Sequence, residues 1–551
     1  MTPSRTFQGL RRSAGAGWQA AAVLVAALVL LPVAALVLFA AQGSPGLWAH
    51  LFDNVLPVAA RQTVLLLAGV GVIVAVLGTV TAWLVAACDF PGRRLFGWAL
   101  LLPLAVPTYI IAYAYLDLLH PVGPVQGAIR ALLGYDSPRQ FRLPDIRSMT
   151  GCILLLGLVL YPYVYLPVRA LFAMQAGNLL DAARTLGTGP VATFRRVAVP
   201  LARPAVAGGT ALALMETLND IGAAEFLGVR TLTVSVYSTW INRSDLPGAA
   251  QIALAMLAIV TGLVMLERFS RKRQRFSGGA QRSQPLRRAR LQGPRAWAAT
   301  AVCALPVLLG FVAPASYLIY HAGQRLHYAG LSPRILAEAA NTALLAALAT
   351  LVTLALGLVV TGAARLRPGR MTQAAARVST LGYAMPGTIL AIGLLPVVTL
   401  IDRRIAAWVQ DLTGLSPGLL LLGSGAALIY AYAARFLAIA TSGIEAGLSR
   451  VPRSLDHAAR TLGRSPGQVF RQVHVPISAP ALAAAGLLIF VDCVKELPAT
   501  LLLRPLSFET LSTHLYGEAA RGTYEDAAIA ALIIVAIGIL PVVVLARAIR
   551  R

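Results

Sequence analysis

Twelve runs of about twenty mostly apolar residues follow one another along this 551-residue chain, each long enough to cross the hydrocarbon of a bilayer as a helix. They lie near 18–41, 63–87, 97–118, 149–171, 205–227, 248–267, 297–320, 341–364, 378–400, 418–440, 480–500 and 525–546. Within lipid a backbone satisfies its hydrogen bonds only in a helix or a closed barrel. An all-α integral membrane protein embedded in the lipid bilayer is therefore expected. Only 13% of the residues are charged, where soluble domains carry about 25%. That excludes a soluble enzyme and a disordered chain. The net charge of +25 does not point to nucleic acid, because the basic residues sit in short clusters between the apolar runs. Cys88, Cys152, Cys303 and Cys493 are too scattered for a disulfide framework or a zinc site. The first run follows Arg5, Arg11 and Arg12 but is too long for a cleaved signal, so it reads as a retained helix.

Twelve spans place both termini and the middle of the chain on one side. The segments assigned to that side, with Arg435 counted among them, hold 33 Lys and Arg against 13 on the other. The positive-inside bias makes it the cytoplasm.

The chain also repeats itself. Ala182-Ala183-Arg184-Thr185-Leu186-Gly187 returns as Ala458-Ala459-Arg460-Thr461-Leu462-Gly463, an offset of 276. At the same offset Pro190, Phe194, Arg195, Val197, Val199, Pro200 and Pro204 match Pro466, Phe470, Arg471, Val473, Val475, Pro476 and Pro480. Upstream, Thr63 pairs with Thr342 and Pro107 with Pro386, both at 279. Each half thus carries six spans in the same order, and an even number makes the repeats parallel. The units are 1–267 and 297–551, joined by a basic cytoplasmic linker, 268–296, with ten Lys and Arg.

The repeated loop follows the fourth span of each half. Paired alanines give its helix a small-sided face, a glycine suits the helix end, and Pro190 or Pro466 stops simple continuation. A second piece, Phe194 to Pro200 or Phe470 to Pro476, returns the chain to the membrane. A device present in both halves suits a two-fold partner. These residues resemble the cytoplasmic loop of binding-protein-dependent ABC importer permeases: Glu-Ala-Ala, three residues, Gly, nine residues, Ile, one residue, Leu-Pro. Here the copies read Asp181-Ala182-Ala183, Gly187, Val197, Val199-Pro200 and His457-Ala458-Ala459, Gly463, Val473, Val475-Pro476. The spacing is kept, and the leading glutamate is replaced by Asp181 and His457. The resemblance implies a type I importer permease fold with two six-helix repeats in one chain of a bacterial inner membrane. It further implies a coupling helix in each loop seated on one of two cytoplasmic ATPases, and a periplasmic substrate-binding protein outside. Neither lysine, Lys272 or Lys495, follows a glycine-rich phosphate loop. ATP and Mg are thus expected to serve the partner ATPase, this chain binding no cofactor and catalysing nothing itself.

Charged groups within apolar runs are costly and face cavities or partners. Here they are Glu216, Asp220, Glu225, Asp492, Lys495 and Glu496, with Glu216 falling on Asp492 and Asp220 on Glu496 at the 276 offset. They could line a central path, or neutralise one another (Lys495 with Asp492 or Glu496) and hold broken helices together. Gly222 and Pro498 correspond and suggest an interruption at the same depth. The segment Lys495-Glu496-Leu497-Pro498-Ala499-Thr500-Leu501-Leu502-Leu503-Arg504-Pro505 is similar to the signature of the ferric-iron branch of these permeases. Met215-Glu216-Thr217-Leu218, with Asp220 and Gly222, resembles its first-half partner. Permeases for thiamine, phosphonates and polyamines carry similar wording. His50, His120, His321, His327 and His514 read as surface residues rather than ligands, and Tyr161, Tyr163 and Tyr165 as packing or interfacial groups. A proton-coupled secondary transporter would also explain twelve spans, but not the two Ala-Ala-x3-Gly loops.

Overall fold

The computed structural model describes residues 5–43, 48–175, 188–272, 288–414, 417–449 and 451–550. Among them, ten helices are long and apolar enough to cross a membrane, and two bent helix pairs bring the number to twelve. A two-residue parallel ladder, Cys88–Asp89 against Ala289–Arg290, is the sole strand pairing among the described residues.

The bent pairs occupy the third span of each half. Arg93–Ala105 meets Thr108–Leu118 at 91°, and Arg370–Ala384 meets Gly387–Thr413 at 110°. Both apolar runs look continuous in sequence, and both break at the matched prolines. Pro107 and Pro386 have ψ of 142° and 145°, outside the helical region. The residue before each, Val106 or Met385, is extended, as the clash with a proline ring demands. Each bend is approached through a single 3-10 turn, Leu102–Ala105 or Leu381–Ala384.

Prolines shape the other irregularities as well. Four five-residue π-helical segments occur among the described residues: Leu51–Val55, Phe194–Ala198, Leu308–Val312 and Phe470–His474. Each ends two residues before a proline, namely Pro57, Pro200, Pro314 or Pro476. A proline inside a helix cannot donate to the carbonyl four residues back and its ring crowds that carbonyl. Widening the preceding turn relieves the crowding while keeping the chain helical.

The fifth spans differ from expectation. The helices run Phe194–Asn219 and Gly467–Lys495, starting earlier than the apolar runs near 205 and 480. They stop where Asp220 and Glu496 turn extended, with ψ of 114° and 123°. Short helices, Gly222–Phe226 and Pro498–Leu503, follow.

The chain forms two compact units, and packing divides it differently from sequence similarity. One unit comprises Met1–Pro45, Thr239–Leu257 and Pro333–Thr513. The Gly17–Gln42 helix belongs to its core: Val25 and Val29 pack with Val360, Leu390 and Leu437, and Ala22 and Ala26 with Ala363 and Ala375. A Cβ on Gly393 would lie 2.2 Å from the Pro32 carbonyl oxygen, so two helix backbones touch there. The other unit comprises Gly46–Ser238, Ala258–Ser332 and His514–Arg551. In it Gly310, from Pro294–Ala329, lies against Pro103 and the Leu158 carbonyl, and Gly538 against Ala105. Each unit therefore takes its first helix from the other sequence repeat.

The cores of the units are otherwise alike. Leu232 N–H donates to Thr63 Oγ1 at 3.0 Å, and Leu511 N–H to Thr342 Oγ1 at 2.9 Å. Gly78 meets Val164 in one unit and Gly357 meets Ala440 in the other, each pair at the offsets read from sequence. Both glycines allow the second and fourth spans to approach closely.

Candidate functional site

Two features of each repeat carry the functional reading: the loop after the fourth span and the acid that ends the fifth. In the first loop Asp181, Ala182, Ala183 and Gly187 lie outside the described residues. In the second, His457, Ala458 and Ala459 fall within the helix Arg453–Thr461. Gly463 follows at φ +80°, a conformation that costs a side chain about 1 kcal/mol or more. Leu462 N–H closes the last α-helical turn on the Ala458 carbonyl, and the Gly463 conformation lets Arg464 N–H reach back to the Ala459 carbonyl, both at 3.1 Å. Ser465 and Gln468 then cap the next short helix reciprocally, at 2.9 and 3.3 Å. Ala458 and Leu462 are exposed, Leu462 by 81%. The loop thus offers a helix with a small-residue and apolar surface at Ala458 and Leu462 that the described residues of its own unit leave open. Pro200 and Pro476 sit in the first turn of the helix behind each π segment. They connect the loop to the fifth span without a full break.

At the end of the fifth span the acids cap the short helix beyond the break. Asp220 is buried; its Oδ1 accepts the Ala223 N–H at 2.7 Å, and its Oδ2 accepts the Thr108 hydroxyl. Glu496 is buried too; its carboxylate accepts the Ala499 and Thr500 N–H groups at 3.1 and 3.2 Å and the Thr500 hydroxyl at 2.9 Å. Arg435 Nη1 lies 3.0 Å from Glu496 Oε1, both side chains almost fully buried.

The two acids use different partners because the spans around them differ at matched positions, Thr108 against Gly387 on the third span and Val159 against Arg435 on the fourth. Thr108 follows Pro107 and donates to the short Asp220; Gly387 follows Pro386 and leaves room for the longer Glu496 and for Arg435. A Cβ on Gly387 would lie 2.5 Å from Glu496 Oε1 and 2.8 Å from Arg435 Nη1. The charge count over the segments between spans puts Arg435 on the cytoplasmic flank. The structure instead buries Arg435 within Ala426–Leu448, 6% exposed. The sequence signal was present, an arginine inside an apolar run, but its partner lies 61 residues away.

The remaining charged candidates stand apart from these caps. Lys495 pairs with Asp492 at 2.8 Å, and both are part-exposed. Glu216 is half-buried, and Glu225 is exposed and accepts the Tyr516 hydroxyl. Asp220 and Glu496 are thus held as backbone caps, while Glu216, Asp492 and Lys495 retain access. Among the described residues no three His, Cys, Asp or Glu side chains converge as metal ligands. Tyr161 and Tyr165 are packing residues, their hydroxyls donating to the Leu100 and Gly97 carbonyls. Two of the histidines read as surface groups are not: His514 is 9% exposed, and His321 lies beside Asp117 and Tyr317.

Comparison with known proteins matches this arrangement to a family twice. The binding-protein-dependent transport system inner membrane component fits residues 75–276 and again 353–551. An Fe(3+)-transport system permease of Haemophilus influenzae is 26% identical over 487 residues, 88% of each chain. A proposed 2-aminoethylphosphonate transport system permease of Salmonella paratyphi A is 32% identical over 200 residues, 36% of this chain and 68% of its own. The molybdenum transport system permease of Escherichia coli is 30% identical over 207 residues, 36% of this chain and 86% of its own. With two family domains and ten to twelve membrane helices, the chain belongs to the binding-protein-dependent transport system inner membrane components, as a multi-pass ABC importer permease with two permease units in one polypeptide.

Proposed function

We propose that this permease imports ferric iron delivered by a periplasmic binding protein. The observation that carries the reading is collinearity: the iron-transport relative aligns over 88% of both chains, through both units, whereas the phosphonate and molybdenum relatives align over 36% of this chain. The Lys495–Pro505 segment supports the same branch. Family membership favours ATP-driven over proton-coupled transport.

In this reading two cytoplasmic ATPase subunits bind ATP and Mg and close on the repeated loops. The helix carrying Ala458 and Ala459, with Gly463 behind it, and the repeated motif Asp181, Ala182, Ala183 and Gly187 transmit that closure to the fifth spans. Both termini and the linker are cytoplasmic. Glu216, Asp492 and Lys495 face the path, with Glu225 near it, while Asp220 and Glu496 hold the interrupted helices that shape it. Oxygen ligands suit a hard trivalent cation, and selection would rest largely with the binding protein.

The test is ATP hydrolysis by the chain in nanodiscs with the ATPase and binding protein encoded beside it. Stimulation by binding protein loaded with ferric iron, but not with thiamine or 2-aminoethylphosphonate, is expected. Stimulation by another loaded form alone would replace iron as cargo.

A further inference from the structure

The return segment of each repeated loop makes an aromatic contact at the first residue of its π-helical turn. In one unit the Phe194 ring lies 5.3 Å from the ring of Trp83, which also packs edge-on against Phe172 at 5.5 Å. In the other unit Phe470, the counterpart of Phe194, lies 5.4 Å from Trp18. The contacts are equivalent, but the tryptophans come from different places.

Trp83 stands on the second span, Leu51–Ala87. At the 279 offset that joins Thr63 to Thr342 and Gly78 to Gly357, its counterpart is Gly362. A Cβ on Gly362 would meet Trp18 Cζ3 at 2.8 Å and Phe470 Cζ at 3.0 Å. The second span of the second repeat therefore carries no indole at this position, and the N-terminal helix supplies one to the same place. The reciprocal change holds in the other unit, where Trp297, at the start of the exchanged helix Pro294–Ala329, is 67% exposed.

Position gives this exchange its meaning. Phe194 and Phe470 lie directly after the short helices Pro190–Thr193 and Pro466–Val469 that leave each loop. They precede the fifth spans, which end at the capping acids Asp220 and Glu496. Motion of a loop helix must pass through this point to reach the span. A π turn interrupts the regular α-helical hydrogen-bond ladder, a feature that recurs at functional sites, and displacement passes such a point only when one side of it is held. A ring pair supplies such a hold, directional and adding about 0.5–1.5 kcal/mol beyond its buried area.

We propose that Trp83 and Trp18 are equivalent positioning residues for energy coupling, each clamping the return segment of a repeated loop to its unit, and that the N-terminal helix is thereby a working part of the coupling in one unit. The inference rests on the reading that these loops engage an ATPase.

The test uses the full chain in nanodiscs with its ATPase and with the binding protein loaded with ferric iron or empty. The readout is the ratio of ATP hydrolysis with loaded and empty binding protein, measured beside thermal stability. Trp18→Ala and Trp83→Ala are expected to lower that ratio at least threefold, and Trp18→Phe to retain more than half of it. Gly362→Trp alone should fail by overpacking. Trp18→Ala combined with Gly362→Trp should regain at least half of the ratio, because the second span then carries the ring as it does in the other unit. A folded Trp18→Ala variant with an unchanged ratio would overturn the proposal. So would a stable double variant no better than Trp18→Ala. If Trp18→Ala does not assemble, Trp18→Phe and Trp18→Leu replace it, and equal ratios for the two would reject a ring-specific role. A wild-type chain that recruits no ATPase would instead sink the importer reading itself.

Discussion

Glu496 and Arg435 show how exchanges at a few matched positions redirect the chemistry around a buried cap. Each is buried, and the pair is tolerated because the carboxylate also accepts two backbone amides. Removing one member leaves an uncompensated buried charge, a cost of about 3–5 kcal/mol. Arg435→Gln should therefore lower the thermal midpoint sharply, and Glu496→Gln on the same chain should recover part of the loss. Among the described residues no cation pairs with Asp220, whose donors are Thr108 and Ala223. Asp220→Asn keeps one acceptor oxygen for the Ala223 N–H and puts an NH2 donor toward Thr108, whose hydroxyl can turn to accept it, so it should cost under about 1 kcal/mol, while Asp220→Ala removes a cap worth about 1–2 kcal/mol. Thermal unfolding in detergent checks all four variants. Equal losses for Arg435→Gln and Asp220→Asn would contradict the assignment. The correspondence of the two acids was legible from the repeat offset. Their role as caps was not, because it depends on Thr108, Gly387 and Arg435, all distant in sequence.

Among the secondary elements, prolines decide most departures from straight helices. Pro107 and Pro386 bend the third spans, and Pro200 and Pro476 each follow a π turn. Pro476→Ala restores a donor and removes the crowding, so Phe470–His474 should tighten to α-helix. Deleting a π turn rotates everything upstream by roughly 100°, the angle of one helical residue. The expected outcome is a loop helix presented on the wrong face: stability unchanged or higher, and stimulated ATP hydrolysis reduced several-fold. Gly463→Val acts at the other end of the same loop. Among the described residues nothing lies within 4 Å of its Cβ position, so the cost comes from φ +80°. It should weaken ATPase recruitment while leaving the thermal midpoint within about a degree, since a local loss at an exposed helix end does not reach the core. Binding of the ATPase subunit to each variant provides the measurement. Proline and glycine were visible in the sequence at all these places. What periodicity could not show was whether each proline would kink, widen or stop its helix, because neighbouring helices decide which solution packs.

For the whole molecule, the exchange of first helices makes the two repeats depend on each other. Expressed alone, residues 297–551 would lack Gly17–Gln42, which supplies Val25, Val29, Ala22 and Ala26 to the core they need. Residues 1–267 alone would lack Pro294–Ala329 and the Gly310 contact with Pro103. Each half should accumulate poorly by itself, and co-expression of the two should restore a stable complex without the linker. Membrane yield and size-exclusion profiles decide this. Full stability of either half alone would show the exchanged helix to be dispensable.

The sequence by itself determined the membrane class, the twelve apolar runs, the duplication and the loop that ties the chain to its family. These follow from composition, run length and local identity, which need no knowledge of what lies opposite. Only the tertiary structure decided which repeat each first helix joins, where the third and fifth spans break, and that Asp220 and Glu496 serve as caps. The physical reason is shared. An apolar helix in lipid can bury either of two similar faces, and a buried acid can pair with any donor that reaches it. Contacts between residues up to several hundred positions apart, such as Trp18 with Phe470 or Pro32 with Gly393, select among those options.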